Sequence, residues 1–193
     1  MRWSRSHIPD VFRIVAAVFC GMFVTSSCAV GRYSANESYP MPSSDYHPEG
    51  KLTEVFFKSS QPGLTLRRAY VYLPKDYDSS DRAYPVLYLL HGARGNENAW
   101  INNGEVLKDI DSLTMCGAME PTIVVLPNMN QYKSDRDYGK GRMKGAFESL
   151  FEINGTVEHF FIQDIVNATD SLFRTIPEKD SRAVAGLSIG GLQ

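Results

Sequence analysis

Arg182-Ala183-Val184-Ala185-Gly186-Leu187-Ser188-Ile189-Gly190-Gly191 is the stretch that decides the fold. Its first half is short and apolar, as a buried strand is, and it runs directly into Gly-x-Ser-x-Gly with one further glycine. A serine on such a strand-to-helix turn sits in a strained backbone conformation. Side chains two residues before and after it would collide, which is why Gly186 and Gly190 flank it. The turn would point the Ser188 hydroxyl into a site. It would also aim the start of the next helix at developing negative charge. The Ile189 N–H then becomes a donor for an oxyanion. The bland reading is a Gly-rich strand-to-loop turn, so the surrounding pattern has to decide.

That pattern is strand, helix, strand, helix, strand. Pro85 to Leu90 is a continuous apolar run, as expected of a strand buried on both faces. It ends in the glycine-punctuated loop His91-Gly92-Ala93-Arg94-Gly95. Asn103 is placed to cap a helix carrying Val106, Ile110 and Leu113 at helical spacing. Thr122 to Leu126 is a second buried strand, closed by Pro127-Asn128. Val157, Phe161, Ile165, Ala168 and Leu172 predict one face of a helix over 156–173. Upstream, Val55-Phe56-Phe57 and the alternating Leu64 to Leu73 read as two strands of a hairpin around Pro62-Gly63. Arg67 and Arg68 break the alternation. Continuous apolar strands joined by helices imply parallel pairing, with the hairpin adding antiparallel strands at one edge. The class is α/β. Ligands of such sheets sit beyond the carboxyl ends of the strands, where the loops at 91–95, from 128 and at 186–191 should meet.

The 193 residues suffice for one sizeable core, and 43% apolar with 22% charged residues is ordinary for a globular chain. The N-terminus differs. Arg2, Arg5 and Arg13 flank an apolar run from Ile14 to Val24, which suits an export signal over residues 1–27. Thr25-Ser26-Ser27-Cys28 follows, and small residues before a Cys resemble a bacterial lipobox. Cys28 is thus the expected lipidation site, and 28–50, rich in Ser, Tyr, Pro and Asn, the tether to a domain over 51–193. A plain secretory signal is the alternative. Either way the expected location is the cell envelope, periplasm or outer membrane, with the membrane reached through the lipid. Cys20 lies in the signal, which leaves Cys116 alone in the mature domain, without an internal disulfide and expected to be buried. Removing residues 1–27 takes the formal charge from −2 to −4, which does not suggest a nucleic-acid binder. The basic stretch Tyr132 to Lys144 reads as a solvated loop, with a face toward an acidic substrate as the alternative.

Four ordered segments carry a family resemblance: Tyr88 to Gly92, Gly95-Asn96-Glu97-Asn98-Ala99-Trp100, Ile123 to Asn128, and Arg182 to Gly191. Together they resemble the esterase D-like α/β-hydrolases. That group includes feruloyl and acetyl-xylan esterases, S-formylglutathione hydrolase, enterochelin esterase and the mycolyltransferases. The resemblance implies an α/β-hydrolase fold, ester or thioester cleavage, and no metal or other cofactor. By position it makes Ser188 the nucleophile. The backbone N–H groups of Ala93 and Ile189 become the oxyanion hole. His91 and Gly92 fall on the loop beside it, and Trp100 on the active-site face.

The family's acid and His follow the nucleophile in sequence, and here Gln193 is the last residue. His7 falls in the signal, His47 in the tether and His159 on a helix, and His91 is not placed as a base. The expectation is therefore the front portion of an esterase, inactive without its base, with an apolar margin at Ala183 to Leu187. The expected activity is serine carboxylic-ester hydrolysis through an acyl-enzyme, on a small-molecule or polysaccharide ester such as a feruloyl or acetyl ester. Acyl transfer by the same site is one alternative. A non-catalytic carbohydrate-binding or vestigial lipoprotein is another.

Overall fold

The computed structural model describes residues 46–60, 62–130 and 156–192. The expected export signal, Cys28 and the basic stretch 132–144 lie outside the described residues.

Five strands form one mixed sheet: β1 (Lys51–Lys58), β2 (Leu66–Leu73), β3 (Val86–Leu90), β4 (Ile123–Pro127) and β5 (Arg182–Gly186). Their spatial order is β1-β2-β4-β3-β5. The hairpin β1–β2 is antiparallel, with Lys51 opposite Leu73 and Lys58 opposite Leu66. Strand β2 is antiparallel to β4, whereas β3 runs parallel to both β4 and β5. The chain leaves β3 for β4 on one side and later returns to β5 on the other. The carboxyl end of β3 is therefore a topological switch point, where loops diverge and leave a crevice.

Alternation along the strands feeds two cores. Val86, Tyr88 and Leu90 pack with Ala69, Val71, Ile123 and Val125 against Val157, Phe160 and Ile165. Leu87 and Leu89 face the other way, with Tyr70, Tyr72, Val124 and Leu126, toward Trp100, Ile101, Leu107 and Ile110. The second face is covered by two short helices, α1 (Ala99–Gly104) and α2 (Val106–Met115). The first is covered by α3, in which α-helical turns Thr156–Phe160 and Asn167–Leu172 flank a π-helical stretch, Phe161–Val166.

Three local expectations need correction. Asn103 does not cap a helix; it lies inside α1. The break falls at Glu105, whose φ of 47° turns the chain and lets its N–H reach the Trp100 carbonyl. Val106 and Ile110 are buried as their spacing predicts. In α3 the buried face starts at Val157 but does not continue to Ala168 and Leu172, and Leu172 is 53% exposed. The π turn inserts one residue, so the face steps from Phe160 to Ile165 and on to Thr169 and Phe173. Cys116 is exposed rather than buried, because it caps the end of α2 beyond the sheet.

Residues 46–50 are fastened to the domain. The Tyr46 hydroxyl donates to Asp111 Oδ2 at 2.7 Å, and the Glu49 N–H donates to the same oxygen at 2.8 Å. The Tyr72 hydroxyl donates to Oδ1 and itself accepts the Gly50 N–H at 2.9 Å. Lys51 then pairs with the end of β2, and Tyr72 lies opposite Val124 near the start of β4. The chain thus enters at the end of the sheet opposite the carboxyl ends of β3, β4 and β5.

Candidate active site

Ser188 follows β5 with φ 55°, a left-handed backbone that L residues other than Asn and Asp rarely adopt. Backbone bonds hold it there: Leu187 N–H donates to Leu90 O at 3.1 Å and Gly190 N–H to Leu187 O at 3.0 Å. The two flanking glycines are sterically required. A Cβ on Gly186 would lie 2.0 Å from Gly190 O, and one on Gly190 would lie 2.6 Å from Leu90 O and 2.7 Å from His91 O. Both contacts are with backbone, which cannot step aside. Ser188 opens a 3₁₀ turn, Ser188–Gly191.

The loop after β3 meets this turn. A Cβ on Gly92 would sit 3.2 Å from Leu187 O and 3.6 Å from Ser188 Cβ, so the two backbones run side by side. Gly95 N–H closes a turn onto Gly92 O at 3.0 Å. Ala93 is exposed on this turn, and Ile189 is buried behind Ser188. Among the described residues neither N–H donates to a protein acceptor. Two amides without a protein acceptor thus lie on the turn that carries Ser188 and on the neighbouring loop.

His91 is buried and serves the loops. Met129 N–H donates to its Nε2 at 2.9 Å, so the proton sits on Nδ1, which donates to Gly92 O at 2.9 Å. Burial holds its pKa below the ordinary histidine value, and Arg67 adds to the shift against the raising effect of the Gly92 bond. Both ring nitrogens are occupied within the fold, which leaves neither for Ser188. Trp100 is also buried, with Nε1–H donating to Leu90 O at 3.2 Å. Among the described residues no side chain hydrogen-bonds Ser188 Oγ, and His159 is exposed on α3.

Sequence pattern does not give the partners of a polar network at the site end, formed by Glu97, Arg68, Asn128, Arg67 and Asn130. Glu97 is fully buried and pairs with Arg68, which also reaches Glu54 at 3.2 Å. Asn128 Nδ2 donates to Glu97 Oε2 at 2.6 Å. Arg67, buried on the opposite face, lies 4.2 Å from the Phe160 ring and donates from Nη1 to Asn130 O at 2.7 Å. The two arginines that interrupt the β2 alternation are thus the ties on either face of the sheet. The Asn130 side chain donates onward to Gly95 O at 2.9 Å, closing the network on the loop after β3.

Comparison with known proteins follows the same line. The chain is 34% identical over 151 residues to an endo-1,4-beta-xylanase/feruloyl esterase of Xylanibacter ruminicola, covering 75% of this chain and 19% of that protein. It is 34% identical over 121 residues to an esterase of Mycobacterium tuberculosis, covering 63% of this chain and 23% of that one. The chain thus spans about a fifth of the length of these curated relatives. Among solved structures, a ferulic acid esterase superposes with TM-score 0.58 at 28% identity, over 75% of this chain and 52% of its own. The feruloyl esterase module of Clostridium thermocellum complexed with sinapinate superposes with TM-score 0.54 at 22% identity, over 85% and 55%, and shares the fold. The open mixed sheet is that of the α/β-hydrolase esterases. Residues 65–193 match the family model described as "Putative esterase", and the chain belongs to that esterase family.

Proposed function

We propose that this chain carries the nucleophile and oxyanion portion of a serine carboxylic-ester hydrolase. The observation that supports this most directly is Ser188 at φ 55° between two obligatory glycines, with Gly92 packed against it. Ser188 Oγ attacks the ester carbonyl while its proton passes to a base. The carbonyl oxygen becomes an oxyanion received by the Ala93 and Ile189 N–H groups. Collapse expels the alcohol, which takes the proton, and water then releases the acid from the acyl-enzyme. The base is a His oriented by an acid, both supplied from outside the described residues. Similarity to feruloyl esterases supports an acylated carbohydrate, a feruloyl or acetyl ester, as substrate. Export, with lipid anchoring at Cys28, completes the reading. Anchored there, the chain would enter the domain at the end opposite Ser188.

A fluorophosphonate probe tests the core of this proposal. In protein that carries the His and acid, it should label Ser188 and leave Ser188→Ala unlabelled. Equal labelling of both, or of neither, would overturn it.

A further inference from the structure

The turn beside the serine carries a residue that its backbone disfavours. Gly92 O accepts from Gly95 N–H at 3.0 Å, which places Ala93 and Arg94 at the two central positions, and Arg94 has φ 64°. A positive φ at the second central position alone is the pattern of a type II turn, where glycine is the favoured residue. Arginine at that position bears a steric cost that glycine would not.

The turn is also rigid. Gly92 O accepts a second bond from His91 Nδ1, and Gly95 O accepts from Asn130 Nδ2 at 2.9 Å. A Cβ on Gly95 would lie 3.1 Å from His91 Cβ. Arg94 Cα is at most about 7.6 Å from Gly92 Cα, two trans peptide steps, and Gly92 lies against Ser188. The backbone at 94 is thus fixed at the rim of the site, and its long side chain is exposed.

Among the described residues, charge on that rim is sparse. Across residues 91–98, 128–130 and 186–192, the only Asp, Glu, Lys or Arg side chains are Arg94 and Glu97. Glu97 is buried against Arg68. Among the described residues Arg94 makes no ion pair or side-chain hydrogen bond. Among the described residues, a substrate seated on Ser188 would therefore meet one unneutralised cation held at a set position. Guanidinium matches a carboxylate through two parallel hydrogen bonds, which an ammonium cannot reproduce.

We propose that Arg94 is a specificity residue, selecting esters that carry a carboxylate a few bonds from the reacting carbonyl over neutral esters of the same size. This rests on the reading of Ser188 as the reacting group and narrows its acylated-carbohydrate substrate to one whose sugar carries a carboxylate. The disfavoured backbone at 94 is then a local cost retained for recognition.

Equilibrium binding tests this without requiring turnover. The probes are N-phenylsuccinamate and its neutral terminal amide, titrated into the protein by ligand-observed NMR. The acid should bind at least about tenfold tighter, with the ratio falling as salt rises. Arg94→Gln should bring the ratio to about one, and Arg94→Lys should leave it between the two. Arg94→Gly should lose the preference yet melt a few degrees higher, roughly as relief of the backbone cost requires. A ratio near one in the wild type, or a preference that survives Arg94→Gln, would overturn the proposal. Fluorophosphonate labelling of protein that carries the His and acid separates the two readings. Labelled protein without a carboxylate preference overturns the role of Arg94 alone. A preference without labelling of Ser188 overturns the esterase chemistry and leaves an anion-binding site.

Discussion

His91 Nε2 accepts the Met129 N–H at 2.9 Å and so ties the loop after β3 to the end of β4. That bond exists only while the ring is neutral. Burial lowers the folded-state pKa below the ordinary value, so the unfolded chain takes up the proton first as pH falls. The contribution to stability is complete above about pH 6.5 and is lost below it, by at most about 1.4 kcal/mol per pH unit, until the folded ring also protonates. Urea unfolding at a series of pH values should show this slope in the wild type. In His91→Gln, which can still accept from Met129, the slope between neutral and mildly acidic pH should flatten.

Ser188 and Gly190 respond oppositely to a change of side chain. Gly190→Ala would drive a methyl to 2.6 Å from a carbonyl oxygen, and should cost about 3 kcal/mol or more and disorder the turn. Ser188→Gly removes a Cβ from a left-handed position and should be about 1 kcal/mol more stable than Ser188→Ala. Thermal denaturation of the three variants checks both signs. A Ser188→Gly protein no more stable than Ser188→Ala would mean that the turn is not strained.

What sequence pattern reveals here is what depends on neighbours in the chain. The apolar runs of β3 and β4, the spacing of Val106 and Ile110, and the glycines around Ser188 are all local signals, and each element lies where its signal placed it. What pattern missed depends on contacts far along the chain. Arg67 and Arg68 look like errors in an alternating strand until Phe160 and Glu97 are seen on opposite faces of the sheet. The shift of the α3 face needs a π turn that apolar spacing does not encode. Glu97 stood within a recognisable segment, but only the fold shows that its carboxylate is buried between β2 and the loop after β4.

Glu97→Gln should show how far that carboxylate supports the site. It removes the negative charge paired with Arg68 and weakens the bond from Asn128. Arg68 is partly exposed, so the loss should be about 2–3 kcal/mol, less than for a fully buried pair. Adding Arg68→Gln should recover part of it, because the second substitution removes the charge left without its main partner. A double-mutant cycle by urea unfolding measures the coupling, which should exceed about 1 kcal/mol. Additive losses would show that the pair does not act as a unit.

Asp111 governs the opposite end of the sheet. Its carboxylate receives Tyr46, Tyr72 and the Glu49 N–H, and so fixes the direction from which the N-terminal segment arrives. The hydrogen bond to Asp111, then burial, pushes the Tyr46 phenol up to about 12. Because the raised value favours the neutral phenol in the fold, this contribution is present below about pH 10 and is lost as pH rises through the folded-state value. Asp111→Asn removes the charge that strengthens all three bonds, and should cost about 2–3 kcal/mol. Ultraviolet titration of the variant should bring the Tyr46 transition back toward about 10. Limited proteolysis should then cut between residues 46 and 50 well before the sheet unfolds. Cleavage there at the wild-type rate would show that the segment is held by β1 pairing rather than by Asp111.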